Sequence, residues 1–252
     1  MLGSMSALST VLSKWVNTGR NVLLPPACVF CHTPLTGEGD NGCECTKAIR
    51  IWPHNHCHQC GRLLPAEMAP GPCGRCLRRP PPQQQTESLF VYQGAVREAV
   101  LDWKLKGHDA GVDWLLHSAE PRLHTLFDEN SILLPIPMPL SRMRRAGRHH
   151  AADLCRAIAR RSKCRMDWRI LRRNGVQNRQ SALSGKARWQ NLRKAFTVNN
   201  DHRNNIAESH IVWVVDDIMT TGATMHYACR ALRRTGMEVR AFSLTRLTAK
   251  EY

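Results

Sequence analysis

The sequence predicts an α/β protein, a mostly parallel sheet covered by helices on both faces, with a cysteine-rich metal module ahead of it. Three observations point there. In the second half of the 252-residue chain, apolar β-branched runs alternate with stretches of helical spacing, the pattern of strands buried on both faces. Residues 211–224 read I-V-W-V-V-D-D-I-M-T-T-G-A-T, an apolar run that ends in two acids and a turn rich in hydroxyls and glycine. Eight of the eleven cysteines fall between residues 28 and 76, in four close pairs.

The elements follow in order. Leu8, Val11, Leu12, Trp15 and Val16 recur at helical spacing, so residues 1–24 are expected to form an amphipathic helix that packs on the main body or lies on a membrane surface. Pro25 and Pro26 stop it. Residues 25–78 carry the cysteine pairs. Residues 79–86, with three prolines and three glutamines, read as an extended linker. Residues 87–252 are expected to form the main domain. Within it Leu89–Tyr92 reads as a strand, Val96–Leu105 as an amphipathic helix, and Ile132–Met138 as a strand stopped by prolines. A helix over 149–163, a strand over Ile211–Val215, a helix over Met225–Arg234 and a strand over Val239–Leu244 complete the alternation. The 42% hydrophobic content suffices for one sizeable core plus a small module.

The chain has no run of 18 apolar residues, and its N-terminus lacks the basic, apolar and small-residue zones of a secretory signal. A cytoplasmic setting is therefore expected, where thiols stay reduced and clustered cysteines bind metal rather than pair as disulfides. The pairs are Cys28-x-x-Cys31, Cys43-x-Cys45, Cys57-x-x-Cys60 and Cys73-x-x-Cys76. Tetrahedral Zn²⁺ takes four thiolates, so eight cysteines make two structural zinc sites. The segment has too few large apolar residues for its own core, and metal binding would supply much of its folding free energy. The Cys43-x-Cys45 spacing strains the usual knuckle, leaving Glu44, His32, His54 or His56 as substitute ligands. Sequential pairing of the knuckles is the expectation; spacing leaves an interleaved pairing open. Cys155, Cys164 and Cys229 carry no motif and read as small buried or surface residues on helices.

The turn after the 211–215 strand is where a ligand is expected. At a strand-to-helix junction, free backbone N–H groups and the positive end of the helix dipole converge, so Thr220, Thr221, Gly222, Ala223 and Thr224 could wrap a phosphate. Gly222 permits close backbone approach. Asp216 and Asp217 precede the turn, where carboxylates accept hydrogen bonds from two vicinal ribose hydroxyls or hold a phosphate-bound Mg²⁺. An acid capping an ordinary helix would explain one of these carboxylates but not the whole string.

This block resembles the phosphoribosyl diphosphate (PRPP) signature of type I phosphoribosyltransferases: two apolar residues, two acids, two variable residues and T-T-G-x-T. The resemblance implies a phosphoribosyltransferase-like sheet with Asp216, Asp217 and Thr220 to Thr224 around PRPP, Mg²⁺ as companion ion, and Lys106 neutralising the diphosphate.

Thirty-six Lys and Arg against 20 Asp and Glu leave a net charge of +16, which favours a polyanionic partner. The excess concentrates between Arg142 and Arg173, where twelve cations face only Asp153 and Asp167. On one side of the molecule these cations would track a nucleic-acid backbone; a solvated helix face is the alternative. Trp168 is the one aromatic there for base stacking.

Taken together, the cysteine knuckles, the proline linker, Leu105-Lys106-Gly107, the Pro135-Ile136-Pro137 strand end and the PRPP-like turn resemble the ComF family of competence and DNA-utilisation proteins. Gln180, Leu183, Arg188, Asn191, Leu192 and Phe196 add a further stretch in the family's order. The resemblance implies a double zinc ribbon ahead of a phosphoribosyltransferase-like domain. It also implies a role in uptake or use of external DNA, with single-stranded DNA and DNA-uptake or recombination proteins as partners. One loop departs from the family pattern: where members carry R-G-F-N-Q, this sequence has Ala146-Gly147-Arg148-His149-His150. The altered loop leaves phosphate binding intact as an expectation and weakens that of transfer chemistry. Three functions remain in competition: a DNA-utilisation protein that binds a phosphoribosyl or nucleotide ligand, an active transferase, and a non-catalytic interaction adaptor.

Overall fold

A computed structural model describes residues 27–35, 43–174, 192–204, 206–207 and 210–248. The helix expected over 1–24 and the stretch Gln180–Asn191 lie outside them. Among the described residues, contacts divide the chain into two compact units, residues 1–49 and 50–252. The division falls between the two pairs of knuckles.

The described residues of the first unit show little regular structure. An antiparallel bridge joins Ala27 to Pro34, and Cys43 caps a single helical turn, α1 (Glu44–Lys47). In the second unit, α2 (Gly74–Arg78) follows Cys73. The sheet then begins with β1 (Thr86–Val91), followed by α3 (Gly94–Lys106), α4 (Ala110–Ser118) and α5 (Glu120–Leu126). Next come β2 (Ser131–Pro135), α6 (Leu140–Ala146), α7 (His150–Ser162), β3 (Arg165–Met166) and β4 (Leu171–Arg173). The last elements are β5 (Phe196–Val198), α8 (Asn200–Arg203), β6 (Ile211–Met219), α9 (Ala223–Arg233) and β7 (Val239–Arg246).

Five strands form one sheet in the order β1-β7-β6-β2-β3, and every neighbouring pair is parallel. Parallel strands need crossover helices, which cover both faces and make the strands apolar throughout. The alternation of side chains sorts the core accordingly. Ile132, Leu134, Val212 and Val214 pack with Ala228, Cys229 and Leu232 of α9. Trp213 and Phe242 meet the edge of Phe127, with ring centroids 5.1 Å apart in both pairs. Cys155, Cys164 and Cys229 are buried in this unit.

Two of the element boundaries that differ from the sequence reading bear on the phosphate turn. The strand expected to end at Val215 runs on to Met219, because its register with β7 continues to Met219↔Arg246. Asp216 and Asp217 therefore sit within a strand rather than after it. The following helix starts at Ala223, two residues earlier than its apolar spacing indicates, with Gly222 as N-cap at φ 76°.

The proline- and glutamine-rich stretch is tied down at its end. Gln84 N–H donates to Val239 O at 2.9 Å, Thr86 N–H to His58 O at 2.7 Å, and Thr86 Oγ1 to Gln59 O at 2.6 Å. The outer edge of β1 is paired as well: Trp52 N–H donates to Leu89 O, Val91 N–H to Arg50 O, and Ile51 bridges Phe90. This pairing blunts an edge that would otherwise be open to aggregation.

Candidate functional site

All five strands run the same way, so their carboxyl ends share one edge. The strand order reverses between β2 and β6, since β2 leads outward to β3 and β6 leads to β7 on its other side. Open α/β sheets bind ligands in the crevice at such a switch point. Asp216, Asp217 and the Thr220–Thr224 turn all lie at that crevice.

The turn has the geometry of an anion cradle. Gly222 adopts a left-handed conformation that only glycine takes without strain, and it begins an eleven-residue helix. Ala223 N–H donates to Thr221 Oγ1 at 3.3 Å and His226 N–H to Gly222 O at 2.8 Å. The N–H groups of Thr220, Thr221, Gly222 and Thr224 have no acceptor among the described residues. Four donors at a helix start are thus available to an anion.

The acids are held differently from each other. Asp217 is buried and accepts a hydrogen bond from Lys104 Nζ at 2.8 Å, while Asp216 Oδ1 accepts the Asp217 N–H at 3.0 Å. Burial, followed by the charge of Asp217, pushes the Asp216 carboxyl up to about 7. Asp216 therefore holds its proton to a higher pH than an ordinary carboxyl. A cation or a pair of sugar hydroxyls arriving there would favour the ionised form.

The sequence missed Lys104. It pointed to Lys106, which instead pairs with Asp102 on its own helix, Nζ to Oδ1 at 2.8 Å, and is well exposed. Beside Lys104, the buried His150 packs edge-on to Trp103 at 5.0 Å, and its Nε2 has no hydrogen-bond partner among the described residues. Burial lowers the His150 pKa, and the nearby Asp217 opposes that shift. Arg173 lines the same region: Nη1 donates to Pro137 O at 3.5 Å and the guanidinium lies over Phe196. Burial and the charge of Arg142 lower its pKa, with Asp216 pulling the other way. Long-range neighbours of this kind leave no local signature in a sequence.

The loop that departs from the family pattern is held by its own side chains. His149 caps α7 in place of the usual asparagine, its Nδ1 accepting the Ala152 N–H at 3.2 Å. The Met138 N–H lies 3.1 Å from Nε2, and burial holds the imidazole below its ordinary pKa. Arg148 donates to Asp153 Oδ2 at 2.9 Å and to Gly107 O at 3.4 Å, joining this loop to the end of α3.

Part of the basic segment is held in ion pairs. Arg148 and Arg156 pair with Asp153, Arg161 with Asp113, and Arg169 with Asp167. Arg142, Arg144 and Arg145 are different. They sit on α6, exposed, just beyond the carboxyl end of β2, and form no ion pair with a described residue.

The cysteines gather into two groups, Cys28, Cys31, Cys43, Cys45 and Cys57, Cys60, Cys73, Cys76, with the sulfur atoms of each group within 4.8 Å of one another. The grouping is sequential. Glu44, His32, His54 and His56 belong to neither; Glu44 pairs with Lys47, and His56 contacts Pro53 O and Glu87. Four thiolates at this spacing fit a tetrahedral ion such as Zn²⁺. The odd Cys43-x-Cys45 spacing works because Cys43 is extended and Cys45 lies in the helical turn it starts. In the second group Cys73 N–H donates to Cys57 Sγ at 3.2 Å, which softens the charge of a metal-bound thiolate. Among the described residues no helix is long and apolar enough to cross a membrane.

Residues 150–250 match the phosphoribosyl transferase domain model. The chain is 31% identical over 224 residues to the DNA utilization protein YhgH of Salmonella typhi, covering 84% of this chain and 93% of that protein. The chain belongs to the ComF family. Within that family it is also 28% identical over 218 residues to Competence protein F of Haemophilus influenzae (84% and 92% covered). To Competence protein ComFC of Bacillus subtilis it is 26% identical over 163 residues (64% and 63% covered). Its two four-cysteine groups fit the family's double zinc ribbon.

Proposed function

We propose that this ComF-family protein is a cytoplasmic DNA-utilisation or competence protein that binds a phosphoribosyl ligand at the β2–β6 crevice. The observation that carries the reading is the unoccupied set of amides at Thr220, Thr221, Gly222 and Thr224 directly beyond Asp216 and Asp217. In this reading the amides take the 5′-phosphate, and the two acids take the ribose hydroxyls or a Mg²⁺ ion bound to the diphosphate. Lys104, Arg142 and Arg173 supply positive charge toward the diphosphate, with Lys106 in reserve at the rim. The exposed arginines of α6 receive single-stranded DNA or an acidic face of a DNA-uptake or recombination protein. Relatives named for competence and DNA utilisation support the cellular role. The two cysteine groups serve as structural zinc sites.

Thermal melting with PRPP and Mg²⁺ tests the ligand. Saturation at a hundred times Kd should add about 2.7 kcal/mol of stability, and an unchanged melting curve up to millimolar PRPP rejects the site. Titration with single-stranded DNA at two salt concentrations tests the other half, since phosphate contacts weaken steeply with salt.

A second reading, an active phosphoribosyltransferase, draws on one observation. His149 preserves the cap that the altered loop would otherwise lose, and Arg173 and Lys104 restore charge absent at Ala146. Catalysis would then rest on holding the ribose and stabilising the departing diphosphate. Pyrophosphate release across a panel of bases decides it; PRPP binding without release returns the protein to the first reading.

A further inference from the structure

The second cysteine cluster and the phosphate turn meet through one side chain. Arg246 ends β7 and is 8% exposed. Its Nη1 donates to Cys60 O at 2.9 Å and touches Met219 Sδ at 3.2 Å, while the guanidinium lies over the Trp52 ring, 5.4 Å from its centroid. Cys60 belongs to the cluster, and Met219 is the residue before Thr220. Two glycines close on this pair from opposite sides. At Gly61, φ is +69° and a Cβ would overlap the Arg246 guanidinium; at Gly222, φ is +76° and a Cβ would stand 3.2 Å from Met219 Cε. Knuckle, guanidinium, thioether and phosphate turn are therefore in unbroken contact.

We propose that Arg246 is a positioning residue that makes the anion affinity of the Thr220–Thr224 turn depend on metal occupancy at Cys57, Cys60, Cys73 and Cys76. This rests on the reading of that turn as a phosphate site. The knuckle is a tight loop, with Gly61 N–H on Cys57 O at 2.6 Å and Cys57 N–H on Arg62 O at 2.8 Å. A bound ion fixes the two knuckle sulfurs and with them the Cys60 carbonyl. That carbonyl orients a planar, rigid donor group, which holds Met219 against Gly222. Interiors packed at this density shift as units and do not absorb displacement. Lysine at 246 could reach one of these partners as a point charge but could not span carbonyl, sulfur and indole together. The coupling is reciprocal by thermodynamic necessity: a ligand in the turn must tighten the metal, as the metal tightens the ligand.

The test measures both directions on the full chain loaded with two zinc ions. Zinc loss to a chromogenic chelator is followed with and without Mg²⁺-PRPP, and the phase belonging to the second cluster is assigned with Cys45→Ser, which empties the first. PRPP should slow that phase about tenfold in the wild type. Arg246→Lys and the near-isosteric Met219→Leu should keep both zinc ions yet lose the slowing and bind PRPP more weakly. Equal release with and without PRPP in a wild type that binds PRPP overturns the proposal, as does an Arg246→Lys protein with wild-type affinity. Should the wild type bind no PRPP, the phosphate reading fails, and the link is judged by the ¹³C-methyl resonance of Met219. Movement of that resonance when zinc leaves the second cluster supports it, and a fixed resonance overturns it.

Discussion

The two four-cysteine clusters offer the same donors and live in different surroundings. In the first, Cys31 is exposed and Cys43 and Cys45 are half-buried. Its backbone hydrogen bonds among the described residues run within residues 27–49. In the second, Cys57, Cys73 and Cys76 are buried, and the knuckle backbone accepts bonds from Thr86, Gln83 and Arg246 of the sheet unit. A ligand pattern in sequence thus says that an ion is bound and nothing about what depends on it. The surroundings decide whether a zinc knuckle is a local staple or a foundation for its neighbours.

The largest expected difference follows from breaking each cluster in turn. Cys73→Ser should destabilise the 50–252 unit while leaving it folded at room temperature, lowering its melting temperature by more than about 10 °C. Cys45→Ser should leave that transition within a few degrees of wild type. Calorimetry with metal analysis reads both, and equal losses from the two variants would erase the contrast.

A smaller effect separates the lysines at the crevice. Removing a partner from a buried charged hydrogen bond costs about 1.5–3 kcal/mol, so Lys104→Ala should weaken Mg²⁺-PRPP binding roughly tenfold or more. Lys106→Ala, on an exposed pair within its own helix, should change affinity less than about threefold. Isothermal titration distinguishes them.

The pH profile sharpens the picture further. Asp216 has its folded pKa raised to about 7, above its unfolded value near 4. Between those values the folded state holds a proton the unfolded chain has lost, so stability falls as pH rises from about 4 to 7 and levels off above. Glu87 runs the other way. Burial opposes its ionisation, but His56, Gln85 and Arg122 together hold it down to about 2, so its contribution is present above pH 4 and is lost on acidification toward 2. His56, raised above its ordinary value chiefly by its Glu87 bond, adds a pH dependence of its own, so the informative quantity is the difference between wild type and Asp216→Asn. That variant should melt a few degrees higher at pH 8 and match wild type at pH 4; a lower melting point at pH 8 would contradict the burial argument.

The smallest expected change concerns α6. Each of Arg142→Ala, Arg144→Ala and Arg145→Ala should reduce the salt slope of single-stranded DNA binding by about 0.7. Arg161→Ala, whose charge is spent on Asp113, should not. Equal slopes for all four variants would place the DNA elsewhere.

Much of this was legible in the residues. The buried strands announced themselves through continuous β-branched runs, and the knuckles through their spacing. The short helices at 110–126 and 140–146 escaped because one or two turns are too few to set a period. Lys104 escaped the sequence reading, which named Lys106, for a geometric reason. Successive helical residues are rotated by about 100°, so Lys104 and Lys106 point nearly opposite ways. Lys104 follows Val100 and Trp103, which are buried against the sheet, while Lys106 falls above Asp102 on the outer side. The triplet Leu105-Lys106-Gly107 drew attention to Lys106, and only the fold shows that Lys104 is the lysine that reaches Asp217. Arg246 was invisible for a related reason, since its partners Cys60 and Met219 are 186 and 27 residues away.

The bonds from Thr86 to Gln59 and His58, with the Ile51–Phe90 bridge, bear on how the molecule can be dissected. A fragment cut at residue 87 would strip the outer margin of β1, leave the Arg246 guanidinium facing solvent, and uncover the sheet rim that Trp52 roofs. The smallest piece suited to crystallisation or deletion mapping begins at Arg50 and keeps one four-cysteine cluster.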